Sequence, residues 1–114
     1  MVTESATNSS NQQLRINRDN LQDINEVNDQ TPSVVYTLTH VVIQQANRVE
    51  DVEIRRPKVK HHKKIALLKE SEQPAKLIEC TTDIPTHLID ELDLSDFMNI
   101  QGIILRMMGK YQAI

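Results

Sequence analysis

The spacing of apolar residues changes at Pro57, and this change constrains the fold more than any other feature of the chain. Before Pro57, Val52 and Ile54 alternate with charged residues, which is the period of a half-buried strand. After Pro57, Ile65 and Leu68 recur at a helical step among lysines and histidines. Proline also ends a strand, because it cannot donate a ladder hydrogen bond. The chain therefore predicts an α+β fold in which strands come first and helices follow.

Two β-rich segments precede Pro57. Residues 33–39 are rich in β-branched side chains, and residues 49–55 alternate between apolar and charged residues. Asn47, which lies between them, tolerates the left-handed backbone of a tight turn. These features predict an N-terminal β-hairpin that turns between Gln45 and Arg48.

Helical spacing continues over residues 58–72, and two prolines then mark further starts. Pro74 and Pro85 each suit the first turn of a helix, where the missing N–H costs nothing. Asp93 or Ser95 can cap the last helix by accepting a hydrogen bond from a free backbone N–H. The pattern predicts three or four short α-helices after the hairpin.

The last helix is apolar over more than one side. One stripe at steps of three and four predicts the face that packs on the core; it contains Phe97, Ile100, Ile104, Met107 and Tyr111. Ile103, Leu105 and Met108 fall outside this stripe and are expected to stay partly exposed in the isolated domain. Exposed apolar surface of that kind usually marks an interface. These three residues are therefore candidate partner-binding residues.

Residues 1–32 are polar and rich in Ser, Asn and Gln. We predict a mostly disordered tail here, because such a composition buries too little apolar surface to fold. Leu14, Ile16, Leu21, Ile24 and Val27 recur at roughly helical spacing, so a weak helix that orders on a partner is the alternative. On this interpretation the domain, hairpin plus helices, covers residues 33–114.

Length, net charge, apolar runs and cysteine content limit the functions that the chain can have. A length of 114 residues suits one domain, and a net charge of −3 does not indicate a membrane or nucleic-acid partner. No apolar run approaches the roughly 18 residues of a membrane span. The single cysteine, Cys80, allows no internal disulfide, which fits a reducing cytosol.

No group of residues predicts catalysis, a metal site or a cofactor. Asp90, Glu91, Asp93 and Asp96 form the densest acidic group, but they sit where carboxylates cap helices and favour the helix dipole. His61 and His62 are adjacent, so their side chains diverge on a helix and cannot share a metal well. Cys80 lies on the apolar side of a predicted helix and behaves as a small hydrophobe. We therefore predict a protein that is not an enzyme.

A basic run covers residues 55–69, where seven Lys or Arg side chains occur without an acid. The run is compatible with a solvated helix face, with docking on an acidic protein surface, or with binding to phosphates. It contains no aromatic residue for stacking on single strands. Lys60, Lys63 and Lys64 are the basic candidates for partner binding.

The order of these features resembles a known family. The relevant segments are residues 35–38, residues 49–57 with their closing Arg-Arg-Pro, residues 77–85 with Thr-Thr-Asp-Ile-Pro, residues 89–92 with Ile-Asp-Glu-Leu, and residues 94–100 with Leu-Ser-Asp-Phe. In this order they look like the tail assembly chaperones of contractile-tailed phages and prophages of the Mu and P2 type. The resemblance covers about residues 34 to 111.

The resemblance implies a function without catalytic residues. Tail chaperones of this family coat the tape-measure protein before the tail tube polymerises around it, and they are usually absent from the finished virion. The implied partners are the tape-measure protein and, as a second candidate, the tail-tube protein, with self-association left open. The implied location is the host cytoplasm. The alternative is a small DNA-binding regulator that uses the basic segment 55–69.

Overall fold

A computed structural model describes residues 13–109, which form a three-stranded sheet and four α-helices. The strands are β1 (Leu14–Ile16), β2 (Ser33–Gln44) and β3 (Asn47–Arg55). The helices are α1 (Val59–Ile65), α2 (Gln73–Thr81), α3 (Thr86–Ile89) and α4 (Leu94–Met107), with short 3-10 turns at Leu21–Glu26 and Glu70–Glu72. The prediction of an α+β fold with strands first and helices after is confirmed.

The hairpin is present, and its strands are longer than predicted. β2 and β3 pair antiparallel up to Gln44 and Asn47, so that only Gln45 and Ala46 form the turn. Gln45 takes the left-handed backbone, with φ of 54°, whereas Asn47 belongs to β3. The turn lies within the predicted range 45–48, but the prediction that Asn47 takes the left-handed backbone is wrong, because Gln45 does so.

A third strand comes from the segment that was predicted to be disordered. β1 pairs in parallel with β2, with Leu14 opposite Val34 and Ile16 opposite Tyr36. The side chains of Ile16 and Val27 are buried in the same core as the hairpin. The prediction of a disordered tail is therefore wrong for residues 13–32, while its remaining part, residues 1–12, lies outside the described residues.

Asparagines explain why the composition of this segment was misleading. The side chain of Asn20 accepts a hydrogen bond from the Asn17 backbone N–H (2.6 Å) and donates one to the carbonyl of Arg15 (3.0 Å). Asn28 similarly accepts from the backbone N–H of Gln30 (2.7 Å). Asparagine competes with the helix by bonding to nearby backbone, so the same residues that disfavour a helix stabilise turns here.

Replacing Ile16 with alanine tests whether residues 13–32 are part of the folded unit. We expect a loss of roughly 2–5 kcal/mol in the free energy of unfolding, because a fully buried side chain is cut back to Cβ. Urea denaturation followed by circular dichroism measures this. Arg15→Ala is the matched control, since the neighbouring Arg15 side chain is exposed. Equal stability of both variants would place the start of the folded unit after β1.

The helical pattern over residues 58–72 breaks earlier than predicted. α1 ends at Ile65, and its residues include none that are buried. Like charges one turn apart, such as Lys60 and Lys64, destabilise a helix that packing does not support. The start of α2 near Pro74 and the cap at Asp93 are confirmed, because Asp93 accepts a hydrogen bond from the Ser95 backbone N–H (3.0 Å).

Candidate protein-binding surface

A buried carboxylate fixes the position of α4 against the sheet. Register between β2 and β3 shifts after Thr37, so that residues 38–41 of β2 lie opposite the single residue Glu50. Asp96, in the first turn of α4 and fully buried, faces this irregularity. Its carboxylate accepts hydrogen bonds from the backbone N–H groups of Thr39 and His40, both at 3.0 Å. The Asp96 side chain therefore provides acceptors for two backbone N–H groups at the irregular part of the β2–β3 pairing, and it connects α4 to the sheet.

Two hydroxyls complete the bonds to Asp96. The phenol of Tyr36 donates at 2.6 Å and the hydroxyl of Thr39 at 2.9 Å. Asn99, one turn further along α4, donates to the Tyr36 oxygen at 2.8 Å. Burial, and next the bond to Asp96, raise the pKa of Tyr36 above its usual range, so the phenol keeps its proton to a higher pH than an exposed tyrosine does.

Sequence reasoning missed this role of Asp96. Asp96 was grouped with Asp93 as a helix-capping acid, and only Asp93 caps. Its local signal is identical to that of any acid in a first helical turn. The amides that it binds lie in a strand 56 and 57 residues away, so no local pattern could have identified it.

The outer side of α4 is divided into a polar and an apolar part. On the polar part, Arg106 donates to the carbonyl oxygens of Val27 (3.0 Å) and Asn25 (2.8 Å) and so holds the N-terminal segment. On the other part, side chains three, four or seven residues apart form a surface that we call the apolar flank, made of Leu94, Met98, Leu105 and Met108. Leu94 is 71% exposed and Met98 is 58% exposed.

The predicted apolar candidates separate into two groups. Met108 is 37% exposed and Leu105 is half-buried, and both belong to the apolar flank. Ile103 is fully buried, so the prediction of partial exposure is wrong for this residue. Ile103 lies next to Ile104 and one turn before Met107, and all three side chains are fully buried. The buried face of α4 is therefore wider than the predicted stripe. Tyr111, predicted for the core stripe, lies outside the described residues.

Two flank residues were not predicted as binding residues. In the sequence, Leu94 and Met98 both belong to the segment 94–100, which was used only for the family resemblance. Their spacing of four, continued by Leu105 eleven residues after Leu94, was a usable signal for a second helical face. The predicted core stripe that begins at Phe97 repeats at the same helical steps, so it masks the second face in the sequence pattern.

The seven basic residues of segment 55–69 fall into two groups according to their contacts. Arg55 donates to the carboxylate of Asp83 (2.8 Å), and Arg56 donates to the carbonyl of Thr31 (3.0 Å). Both arginines therefore connect parts of the domain that are distant in sequence. The remaining five form a set that we call the basic rim; they are Lys58, Lys60, Lys63, Lys64 and Lys69. All five are exposed, and none forms an ion pair within residues 13–109.

The basic rim creates a local positive field on an acidic protein. Burial first, and then the cations Lys60, Lys64 and Lys58, hold the pKa of His61 below its usual range. Residues 55–69 contain seven of the thirteen basic residues and none of the sixteen acidic ones. The rest of the chain is therefore strongly acidic, and the positive charge is concentrated around α1.

A groove connects α1 to α4. A cavity of about 330 Å³ is lined by Ile65 at the end of α1, by Glu70, Gln73, Pro74 and Leu77 around α2, and by Gln101 of α4. Gln101 lies three residues after Met98 and four before Leu105, so the apolar flank borders this opening. We call this opening the helical groove.

The described residues include no metal site and no membrane-spanning helix. Across residues 13–109, no group of three or more His, Cys, Asp or Glu side chains is placed to hold a metal ion. No helix in the described part of the chain combines the length and apolar character needed to cross a bilayer. The predicted absence of a catalytic or cofactor site stays a prediction.

Comparison with known proteins identifies the family. No curated protein and no solved structure matches the chain significantly. The model of one family, described as phage tail assembly chaperone proteins, E, or 41 or 14, matches residues 35–109. The match begins at the third residue of β2, extends two residues past the end of α4, and includes Asp96, the apolar flank and the basic rim. The chain therefore belongs to the family of phage tail assembly chaperone proteins.

Proposed function

We propose that this protein binds the tape-measure protein of its phage or prophage and keeps it soluble until the tail tube assembles around it. It does so without catalysis, in the host cytoplasm, and it is left out of the finished virion. The tail-tube protein is a second candidate partner. Family membership supports a role in tail assembly, and the tape-measure partner is what the resemblance of the sequence implies.

The observation that carries this proposal is the apolar flank of α4. Although the domain buries an extensive apolar core, it exposes Leu94 and Met98 one turn apart on the same helix. Surface of this kind is a liability unless a partner covers it. Methionine adapts its shape to irregular partners, which suits a chaperone that meets many segments of one long chain.

Co-expression with the tape-measure protein from the same genome tests the proposal. We expect a larger soluble fraction of tape-measure protein and co-purification of the two chains. Lys60→Glu/Lys63→Glu/Lys64→Glu should weaken co-purification and leave the fold intact, because exposed charges of this kind each contribute only about 0–1 kcal/mol to stability. Circular dichroism checks the fold.

DNA binding is the competing outcome of the same experiment. If the triple variant instead loses affinity for random duplex DNA, and wild-type binding falls steeply with salt, the regulator hypothesis is correct. An unchanged soluble fraction, together with no co-purification of tape-measure or tail-tube protein, contradicts the chaperone proposal.

A further inference from the structure

The exposed leucine Leu67 lies just after α1, the helix that carries most of the basic rim. Its side chain is 88% exposed, the largest exposed fraction of any large apolar side chain within residues 13–109. Lys63, Lys64 and Lys69 lie within four residues of it, and all three are exposed. Glu70 is the one acid in the same interval. Leu67 therefore stands among predominantly positive side chains.

A cavity beside β3 has the opposite charge. Its volume is about 390 Å³, and its lining comes from residues 47–52 and from the segment around the start of α3. Val52, Ile84 and Leu88 line it and are buried, so its interior is apolar. Three exposed carboxylates and one exposed guanidinium complete the charged part of the lining; they belong to Glu50, Asp51, Asp83 and Arg48. We call this opening the acidic cavity.

The acidic cavity and the surroundings of Leu67 are complementary in two respects. A volume of about 390 Å³ is large enough for a leucine side chain, and the buried lining offers that side chain an apolar environment. Lysines beside the inserted leucine would face the carboxylates of the lining. Opposite charges across an interface favour the correct partner and raise the association rate.

The two surfaces meet only between different molecules. Leu67 is exposed in the described fold, so it does not fill the acidic cavity of its own chain. All sixteen acidic residues, but only six of the thirteen basic ones, lie outside residues 55–69. A second copy therefore presents a predominantly acidic surface to the basic rim, whose five lysines have no ion-pair partner within residues 13–109. The chain itself supplies both halves of a complementary pair.

We propose that copies of this protein associate head to tail, with Leu67 of one copy inserted into the acidic cavity of the next. The contact joins two different surfaces, so copies add in succession and do not stop at a symmetric dimer. One leucine and its neighbouring lysines bury less than the roughly 1,200 Å² of a stable interface, so the association is weak and reversible. This self-association goes beyond the proposed function and needs no tape-measure protein.

Sedimentation velocity on the full-length protein tests this inference. The average mass of the wild type should rise with protein concentration and fall as salt rises. Leu67→Asp should weaken self-association at least about tenfold, because a carboxylate replaces the inserted leucine and meets the carboxylates of the cavity. Glu50→Lys/Asp51→Lys should do the same from the other side of the contact. Asp19→Lys/Glu26→Lys makes the same charge change at exposed positions of the N-terminal segment and should change self-association by less than about twofold.

Mixing the two defective variants distinguishes a head-to-tail contact from a general effect of charge. The Leu67→Asp variant keeps its acidic cavity, and the Glu50→Lys/Asp51→Lys variant keeps its leucine, so a mixed pair has one intact contact. We expect an equimolar mixture to form a heterodimer and no larger species, at concentrations where each variant alone is monomeric. All the altered side chains are exposed, so each variant should fold, which circular dichroism checks.

Several results would overturn the inference. They are a wild type that stays monomeric at every concentration, a mixture that forms no heterodimer, and an equal effect of the Asp19→Lys/Glu26→Lys control. Self-association of Leu67→Asp as strong as that of the wild type would also overturn it, because a second copy would then use another surface. In each case the chaperone proposal is unaffected, since co-purification with tape-measure protein tests it separately.

Discussion

Asp96→Ala should destabilise the protein by about 3 kcal/mol or more, because four donors lose their common acceptor in the buried interior. These donors are the backbone N–H groups of Thr39 and His40 and the hydroxyls of Tyr36 and Thr39. Each unsatisfied buried donor costs roughly 1–3 kcal/mol, and water that enters the space recovers part of this. Urea denaturation measures the change in the free energy of unfolding.

Comparison with other carboxylates isolates the effect of burial. Asp93→Ala removes the cap of α4 and should cost about 1 kcal/mol. Asp90→Ala removes an exposed carboxylate and should stay within about 0.5 kcal/mol of the wild type. If all three variants unfold at the same urea concentration, the network around Asp96 does not hold α4 on the sheet.

Asp96→Asn addresses the charge separately from the shape. The amide keeps one acceptor oxygen, but its NH₂ group would face the backbone N–H of Thr39 or His40, which are donors too. We therefore expect asparagine to destabilise almost as much as alanine. Full stability of Asp96→Asn would mean that a neutral acceptor is sufficient at this position.

Local sequence signals predicted the order of elements well. Alternation around Val52 and Ile54 predicted β3, Pro74 predicted the start of α2, and Asp93 predicted the cap of α4. Each of these signals acts within one turn or one strand, where the physical cause and the residue are neighbours.

The failures share a different cause, which is contact between distant parts of the chain. β1 is held by pairing with β2 twenty residues later, and no property of Leu14–Ile16 alone reveals that pairing. The carbonyls of Asn25 and Val27 are held by Arg106, about eighty residues away. Composition suggested disorder because it counts what a segment can bury by itself, whereas this segment is stabilised by the remainder of the fold.

The exposure of the candidate partner-binding residues was predicted only in part, for the same reason. Exposure of Leu105 and Met108 follows from their distance from the buried stripe, but Ile103 is one step from the stripe and is covered as well. How wide a helix face is buried depends on the elements around it, and helical spacing does not reveal their positions. Which of these residues touch a partner stays a prediction.

Substitutions on opposite sides of α4 should separate folding from binding. Ile104→Ala cuts back a fully buried side chain and should lower the free energy of unfolding by roughly 2–5 kcal/mol. Met98→Asp and Leu105→Asp alter the apolar flank, where Met98 is 58% exposed. We expect these two variants to fold with near wild-type stability and to lose co-purification with tape-measure protein, because a charge replaces the apolar contact with the partner.

Gly102→Asp provides the control on the polar side of α4, one turn before Arg106. A Cβ at Gly102 meets no atom within 4 Å, and aspartate disfavours a helix less than glycine does, so this variant should fold and still co-purify. If Met98→Asp and Leu105→Asp unfold the protein as much as Ile104→Ala does, the flank belongs to the core. If they fold and still co-purify with tape-measure protein, the interface lies elsewhere, and the exposed edge of β3 becomes the next surface to alter.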